Sequence, residues 1–324
     1  MRLPRPLFLL QRKMLHLVTN TVIGLVRILP ERGGYALGRN IAIIAWNCIP
    51  RWRRTADTNM RIFYKGEPRG ADTRNGYRER MKLGRVAAVN LGYHAIEFVR
   101  MGFLPVKRAL EMIVETEGVE DLQESLTLGR GAIVLGMHYG NWELAGAKMT
   151  SIHQMHAVGK EQRDPFFTNL AFPLRARFGM INLSSTSTFK SAIVRALRDG
   201  DVLGLAADQN GGKNGTFANF AGTPASTANG PAVLAMRFGA PLHMIYAYRL
   251  APGRLRFVLS PRVEVDDIEG YDPLSGKYTP EALVACLERI NAEYEKILRR
   301  DPTQWMWGHP RWKTRPPGEP HLYS

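Results

Sequence analysis

Gly131-Ala-Ile-Val-Leu-Gly-Met-His-Tyr-Gly-Asn-Trp-Glu143 is the stretch that decides how this chain is read. Ala132 to Leu135 is a short apolar run of the kind a buried strand shows. Gly136 breaks it, Gly140 and Asn141 make a turn, and a helical pattern opens with Trp142, Leu144, Ala145, Ala147 and Met149. The spacing predicts strand, turn and helix, with His138 on a loop at the carboxyl end of the strand, where open α/β sheets bind ligands. Glu143 then falls in the first helical turn. Two readings follow. The turn can fold the carboxylate back onto the imidazole, fixing its tautomer so that the ring takes a proton from a hydroxyl. Alternatively, Glu143 caps the helix beside an uninvolved histidine.

With 324 residues, 45% hydrophobic, the chain has ample material for a globular core. A formal charge of +15 implies an anionic partner: nucleic acid, an anionic membrane or an acidic carrier. Cys48 and Cys286 lie far apart, giving neither a disulfide framework nor metal spacing, as suits a reducing compartment.

Outward from the central stretch, the N-terminus is basic (Arg2, Arg5, Arg12, Lys13), and Met14 to Leu29 is apolar but interrupted. That run is too short and polar for a spanning helix of roughly 20 apolar residues, and no signal-peptide cleavage site follows it. It reads as a helix lying at the bilayer surface, its charges on the cytoplasmic side, or as an ordinary core helix. Gly33-Gly34 is expected to end it, and a second helix spans Tyr35 to Ile49. From Arg51 to Arg85, eleven Lys or Arg stand against four Asp or Glu, a membrane-facing or anion-facing patch beside an apolar N-terminus. A helix is expected from Arg85 to Met101.

Beyond the central stretch come a strand at His153–Gly159, a helix opened by Asp164, strands at Met180–Leu183 and Val202–Ala207, and a helix at Thr188–Asp199. Gln209 to Thr227 reads as a long glycine-rich functional loop. Ala251-Pro-Gly-Arg254 joins two strands as a hairpin, and Pro280 to Arg300 is an amphipathic helix. The division expected is residues 1–50 as membrane-associated helices and 51–324 as one α/β domain.

Several chemistries lack their motifs. There is no Gly-x-Ser-x-Gly elbow, and Gly212-Lys213 lacks the earlier glycine of a phosphate loop, since Ala207 stands there. His153 and His156 have no acid or cysteine to complete a metal set. What remains is a His–Glu pair beside a basic surface, enough to activate a hydroxyl toward an electrophile that arrives already activated.

Three ordered blocks together resemble the lysophospholipid acyltransferase superfamily, in its lipid A biosynthesis (lauroyl/myristoyl) branch. They are His138-Tyr-Gly-Asn-Trp-Glu143, similar to the His-x4-Asp/Glu motif in its Glu form; Ala207-Asp208-Gln209 with Phe220-Ala-Gly-Thr-Pro-Ala-Ser-Thr227; and Trp305-Met306 through Arg311-Trp-Lys-Thr-Arg-Pro316. The chain departs from the pattern at Asn210, where a second acid is usual, and at His309-Pro310, which interrupts a basic run.

The resemblance implies a mixed, largely parallel sheet flanked by helices, with an N-terminal membrane-associating segment. It implies transfer of a fatty acyl chain from an acyl carrier protein thioester, or acyl-CoA, to a lipid hydroxyl at the cytoplasmic face of a bacterial inner membrane. No cofactor, metal or nucleic acid is implied. His138 is then the general base and Glu143 its orienting carboxylate. Arg175, Arg163 and Arg177 are assigned to phosphates, Asp208 to a sugar hydroxyl or an arginine, and the amides at Asn141–Trp142 to the oxyanion. The acceptor stays open between a lipid A precursor or related glycolipid and a glycerophospholipid or mannosylated phosphoinositide. A non-catalytic basic protein on anionic membrane or nucleic acid is the alternative of another class.

Overall fold

The structure, a computed structural model, describes residues 5–159, 164–184 and 189–323. It opens with helices α1 (Arg5–Ile28), α2 (Glu31–Cys48), α3 (Pro50–Phe63), α4 (Arg74–Phe103) and the short α5 (Val106–Leu110). Next come β1 (Ile113–Glu117), α6 (Val119–Leu126), β2 (Ala132–Gly140), α7 (Trp142–Ile152), β3 (Met155–Val158), α8 (Pro165–Arg177) and β4 (Ile181–Leu183). The chain continues through α9 (Phe189–Arg198), β5 (Val202–Ala206), a hairpin of β6 (Thr216–Phe220) and β7 (Thr223–Thr227), and α10 (Gly230–Phe238). It closes with β8 (Leu242–Ala251), β9 (Arg254–Leu259), the ribbon β10 (Tyr271–Asp272) and β11 (Lys277–Tyr278), and α11 (Pro280–Arg300).

Seven strands form one sheet in the order β1-β9-β8-β2-β5-β3-β4. Five run parallel; β9 turns back antiparallel to β8, and β1 pairs parallel with β9. The expected mixed, largely parallel α/β fold is what the chain adopts. In β2, Ile133, Leu135, Met137 and Tyr139 join one core, with Met236 of α10 and Leu287 and Ile290 of α11. Ala132 and Val134 join the other, with Leu144 and Met149 of α7 and Leu174 of α8. Burial on both faces explains the unbroken apolar run. Each fully buried Ile or Leu contributes roughly 1.5–3 kcal/mol.

Four local expectations change. The strand does not stop at Gly136 but runs irregularly to Gly140, because Tyr139 bridges Trp305 and the Met306 amide donates to the His138 carbonyl. Gly33 and Gly34 lie inside α2; the first break comes at Pro30, which caps it. The helix expected from Arg85 starts at Arg74, where the Thr73 hydroxyl accepts from the Gly76 amide. The glycine-rich stretch after Gln209 contains the β6–β7 hairpin, closed by Ala221 and Gly222, both at positive φ, as a tight two-residue turn requires.

Among the described residues no helix is long and apolar enough to cross a membrane. Instead α1 and α2 leave Leu17, Val18, Ile28 and Ile44 more than half exposed. Val26 of α1 packs with Tyr35 and Ile96, tying these helices to α4.

Candidate active site

The register of β2 against β5 places Gly136 beside Ala206. Two residues further along, near the end of β2 and just past the end of β5, His138 and Asp208 meet. The His138 Nδ1–H donates to Asp208 Oδ1 at 2.9 Å, and the His138 amide to Asp208 Oδ2 at 2.9 Å. The Trp305 indole N–H adds a third bond to Oδ2 at 2.8 Å. Burial works against a charged Asp208, yet the histidine and these donors outweigh it and hold the carboxyl below its ordinary range. Burial likewise works against a protonated His138, but the Asp208 charge and hydrogen bond prevail and raise its pKa. With Nδ1 donating to a carboxylate, the Nε2 lone pair is left free as a base.

Glu143 is placed otherwise than the pairing reading expects. Its buried carboxylate accepts from Arg175 Nε and Nη2 at 2.8 and 2.7 Å, a bidentate clamp between α7 and α8. Asp208, not Glu143, is therefore the hydrogen-bond partner of His138; Glu143 acts on the ring only as a nearby negative charge. The reason is helical geometry. Asn141 caps α7 by accepting from the Leu144 amide at 2.9 Å, and this cap turns the first-turn Glu143 toward α8.

The clamp also occupies the Arg175 fork that the resemblance assigned to phosphate. Arg177 is occupied as well, donating to the carbonyls of Met101 and Leu104 at 2.9 and 2.6 Å. Arg163 lies outside the described residues. The Asn141 amide donates to the Ala247 carbonyl, so it is not available to an oxyanion. Gly140 permits that approach: its φ is +56°, and a Cβ there would stand 2.0 Å from the Ala247 oxygen.

Beneath Asn141 lies a buried ion pair that the sequence does not announce. Asn141 Nδ2 donates to Glu97 Oε2 at 2.9 Å, and Arg249 Nε donates to Glu97 Oε1 at 3.1 Å, with a second bond from Arg249 Nη2. Glu97 is fully buried and Arg249 nearly so. The Trp142 ring sits between two histidines, 3.6 Å from His94 and 5.2 Å from His138, centre to centre. Burial holds His94 neutral, its pKa lowered to about 3. On the other side, the two positions that depart from the family pattern meet: the Asn210 amide donates to His309 Nε2 at 3.2 Å.

His138 opens onto a cavity of about 120 Å³ lined mostly by apolar residues, Gly136, Gly146, Gly204, Met155 and Met180 among them, together with the Glu143–Arg175 clamp. Glycine at 204 keeps it open, since a Cβ there would lie 2.0 Å from Met155 Cε. A base held by a buried carboxylate over an apolar recess can activate a hydroxyl beside a long apolar group.

Comparison with known proteins bears on this chemistry. Residues 5–314 match the model of the bacterial lipid A biosynthesis acyltransferase family. The chain belongs to that family. It is thus an acyltransferase, which removes the non-catalytic reading of its basic surface. Among its relatives is the lipid A biosynthesis palmitoleoyltransferase of Escherichia coli K12, 28% identical over 89% of this chain and 87% of that protein. The Escherichia coli K12 lipid A biosynthesis lauroyltransferase is 25% identical over 93% and 92%, and a Shigella flexneri lipid A biosynthesis acyltransferase matches at 28% over 89% and 87%.

The clamp yields a first prediction. Glu143→Ala leaves a largely buried guanidinium unpaired, and Arg175→Ala leaves a buried carboxylate. Each is expected to lower turnover by about tenfold or more, by loosening α7 against α8. The double variant should cost little beyond either single one, because the pair acts as a unit. Steady-state rates for the three variants check this; additive losses would mean that Glu143 and Arg175 act separately.

Proposed function

We propose that the protein transfers a fatty acyl chain from an acyl carrier protein thioester, or acyl-CoA, to a hydroxyl of a lipid A precursor. The observation that carries the reading is the His138–Asp208 pair opening onto the apolar recess, and the relatives' lipid A activities supply the acceptor class. His138 Nε2 takes the hydroxyl proton as the oxygen attacks the thioester carbonyl. The tetrahedral oxyanion is stabilised at the positive end of α7, where the Trp142 and Glu143 amides are the donors not used by the Asn141 cap. Collapse releases the thiolate, which recovers the proton from the imidazolium.

Direct transfer is favoured over an acyl-enzyme. Burial pushes the Cys286 thiol up to about 12, so it stays protonated, and Cys48 stands exposed at the end of α2. Initial rates against both substrates should give intersecting double-reciprocal lines, and Cys48→Ser/Cys286→Ser should stay active. Parallel lines with acyl label on a side chain would indicate covalent catalysis.

The reading is tested by incubating purified protein with acyl thioesters of graded length and a lipid A precursor, with mass spectrometry of the product. One acyl group should be added per acceptor, whereas transfer only to a glycerophospholipid or a mannosylated phosphoinositide would replace the acceptor. In Gly204→Val the recess is blocked, so preference should move to shorter chains by about 10-fold or more in kcat/KM ratio, several methylenes at roughly 0.8 kcal/mol each. An unchanged chain profile would place the acyl group elsewhere.

The exposed Leu17, Val18, Ile28 and Ile44 support a surface-lying anchor at the cytoplasmic face of the inner membrane. Removing residues 1–29 should make the protein extractable by salt; retention as firm as that of the full chain would locate the anchor elsewhere.

A further inference from the structure

Arg175 and Arg177, two of the arginines that the resemblance directs at phosphate, are occupied within the fold, yet the chain has a cationic groove that shares no lining residue with the His138 cavity. Thr58, Arg61 and Ile62 stand at i, i+3 and i+4 on α3 and so share one helical face, and Lys65 follows in the turn just past its end. That face forms one wall of a groove of about 860 Å³. The turn after α3, Thr223 at the tip of the β6–β7 hairpin, and Arg315 and Leu322 of the C-terminal segment complete it.

Two of the charges here, Arg61 and Lys65, are available. Among the described residues Lys65 has no carboxylate partner. Arg61 meets Asp72 at 3.3 Å, but Asp72 is 82% exposed, and such surface pairs contribute little and exchange readily. Arg315 has only 7% of its side chain exposed; it donates to the Pro224 carbonyl at 2.5 Å and pairs with the more exposed Glu319. Its Nε is buried without a hydrogen-bond partner. The one further carboxylate on the wall, Glu67, is taken by Arg299 at 2.7 Å. Ile62 and Leu322 add apolar surface beside the cations.

We propose that this groove is a binding site for a phosphate monoester group. The Arg61 guanidinium and the Lys65 ammonium, with the Thr58 and Thr223 hydroxyls nearby, match the oxygens of a phosphate monoester, and the apolar wall suits a ligand carrying hydrocarbon. The claim concerns binding and stands independently of the acyl-transfer reading.

The test is titration calorimetry of the full-length protein in mild neutral detergent at constant ionic strength, with inorganic phosphate and, separately, a short-chain alkyl phosphate. Saturable one-site binding is expected, weakened about tenfold or more in Arg61→Ala/Lys65→Ala, since each charge-assisted bond lost is a large fraction of a decade or more. Both substitutions lie on exposed or half-exposed side chains, so the fold should hold, and unchanged melting confirms it. His138→Ala should bind both ligands as the wild type does, even if acyl transfer to lipid A proves wrong. Tenfold tighter binding of the alkyl phosphate identifies a lipid headgroup as the source; equal binding identifies free phosphate. Binding unchanged in the double variant, or no saturable binding of either ligand, overturns the proposal.

Discussion

His138→Ala is expected to lower turnover by roughly two to four powers of ten, the usual worth of a positioned general base. Asp208→Asn should lose a comparable part of that, because Asp208, buried against the ring, acts through His138. Its two oxygens hold the ring nitrogen, the His138 amide and the Trp305 indole at once. An amide cannot accept at both positions without turning a donor toward one of them, and it supplies no charge to stabilise the imidazolium. Steady-state turnover with intact lipid binding checks this. If Asp208→Asn turned over within about threefold of wild type while Glu143→Gln did not, the orienting role would return to Glu143.

The second large effect is on stability. Arg249→Met leaves the Glu97 carboxylate buried without its ion-pair partner, a change that costs about 3–5 kcal/mol. Glu97, which accepts from Asn141 Nδ2, loses its anchor at the same time, so the cap that starts α7 is weakened. The double variant Glu97→Leu/Arg249→Met removes both charges and should recover part of the loss, because replacing a buried pair by apolar groups is often nearly neutral. Denaturation midpoints of the two variants check the expectation. A single variant within about 1 kcal/mol of wild type would mean that water reaches the pair.

Much of the scaffold was legible because local signals agreed. Ala132–Leu135 is apolar and buried on both faces, and the turn before Trp142 leads into a helix with a proper Asn141 cap. The glycine-rich appearance of residues 209–227 concealed a hairpin, since small and polar residues blur the alternation that marks a strand. His138 and Glu143 stood out by spacing, but spacing alone could not say which carboxylate reaches the ring. That depended on β5 lying next to β2, a pairing across some seventy residues that is set by sheet order rather than by any local pattern. The Glu143–Arg175 clamp depended likewise on how α8 packs, and Glu97 and Arg249, which belong to no local motif, meet only where α4 and β8 come together.

The pH dependence of kcat/KM in wild type and Asp208→Asn tests the central claim most directly. A neutral His138 is the active form, so the rate falls as pH drops through its pKa, which the Asp208 charge holds above the ordinary histidine range. Removing that charge takes away the largest opposition to burial and leaves only the weaker Glu143 charge, so the acidic limb of the variant should move to lower pH beneath its reduced maximum. An acidic limb that stays in place, or moves to higher pH, would contradict the assignment of His138 as a base held by Asp208.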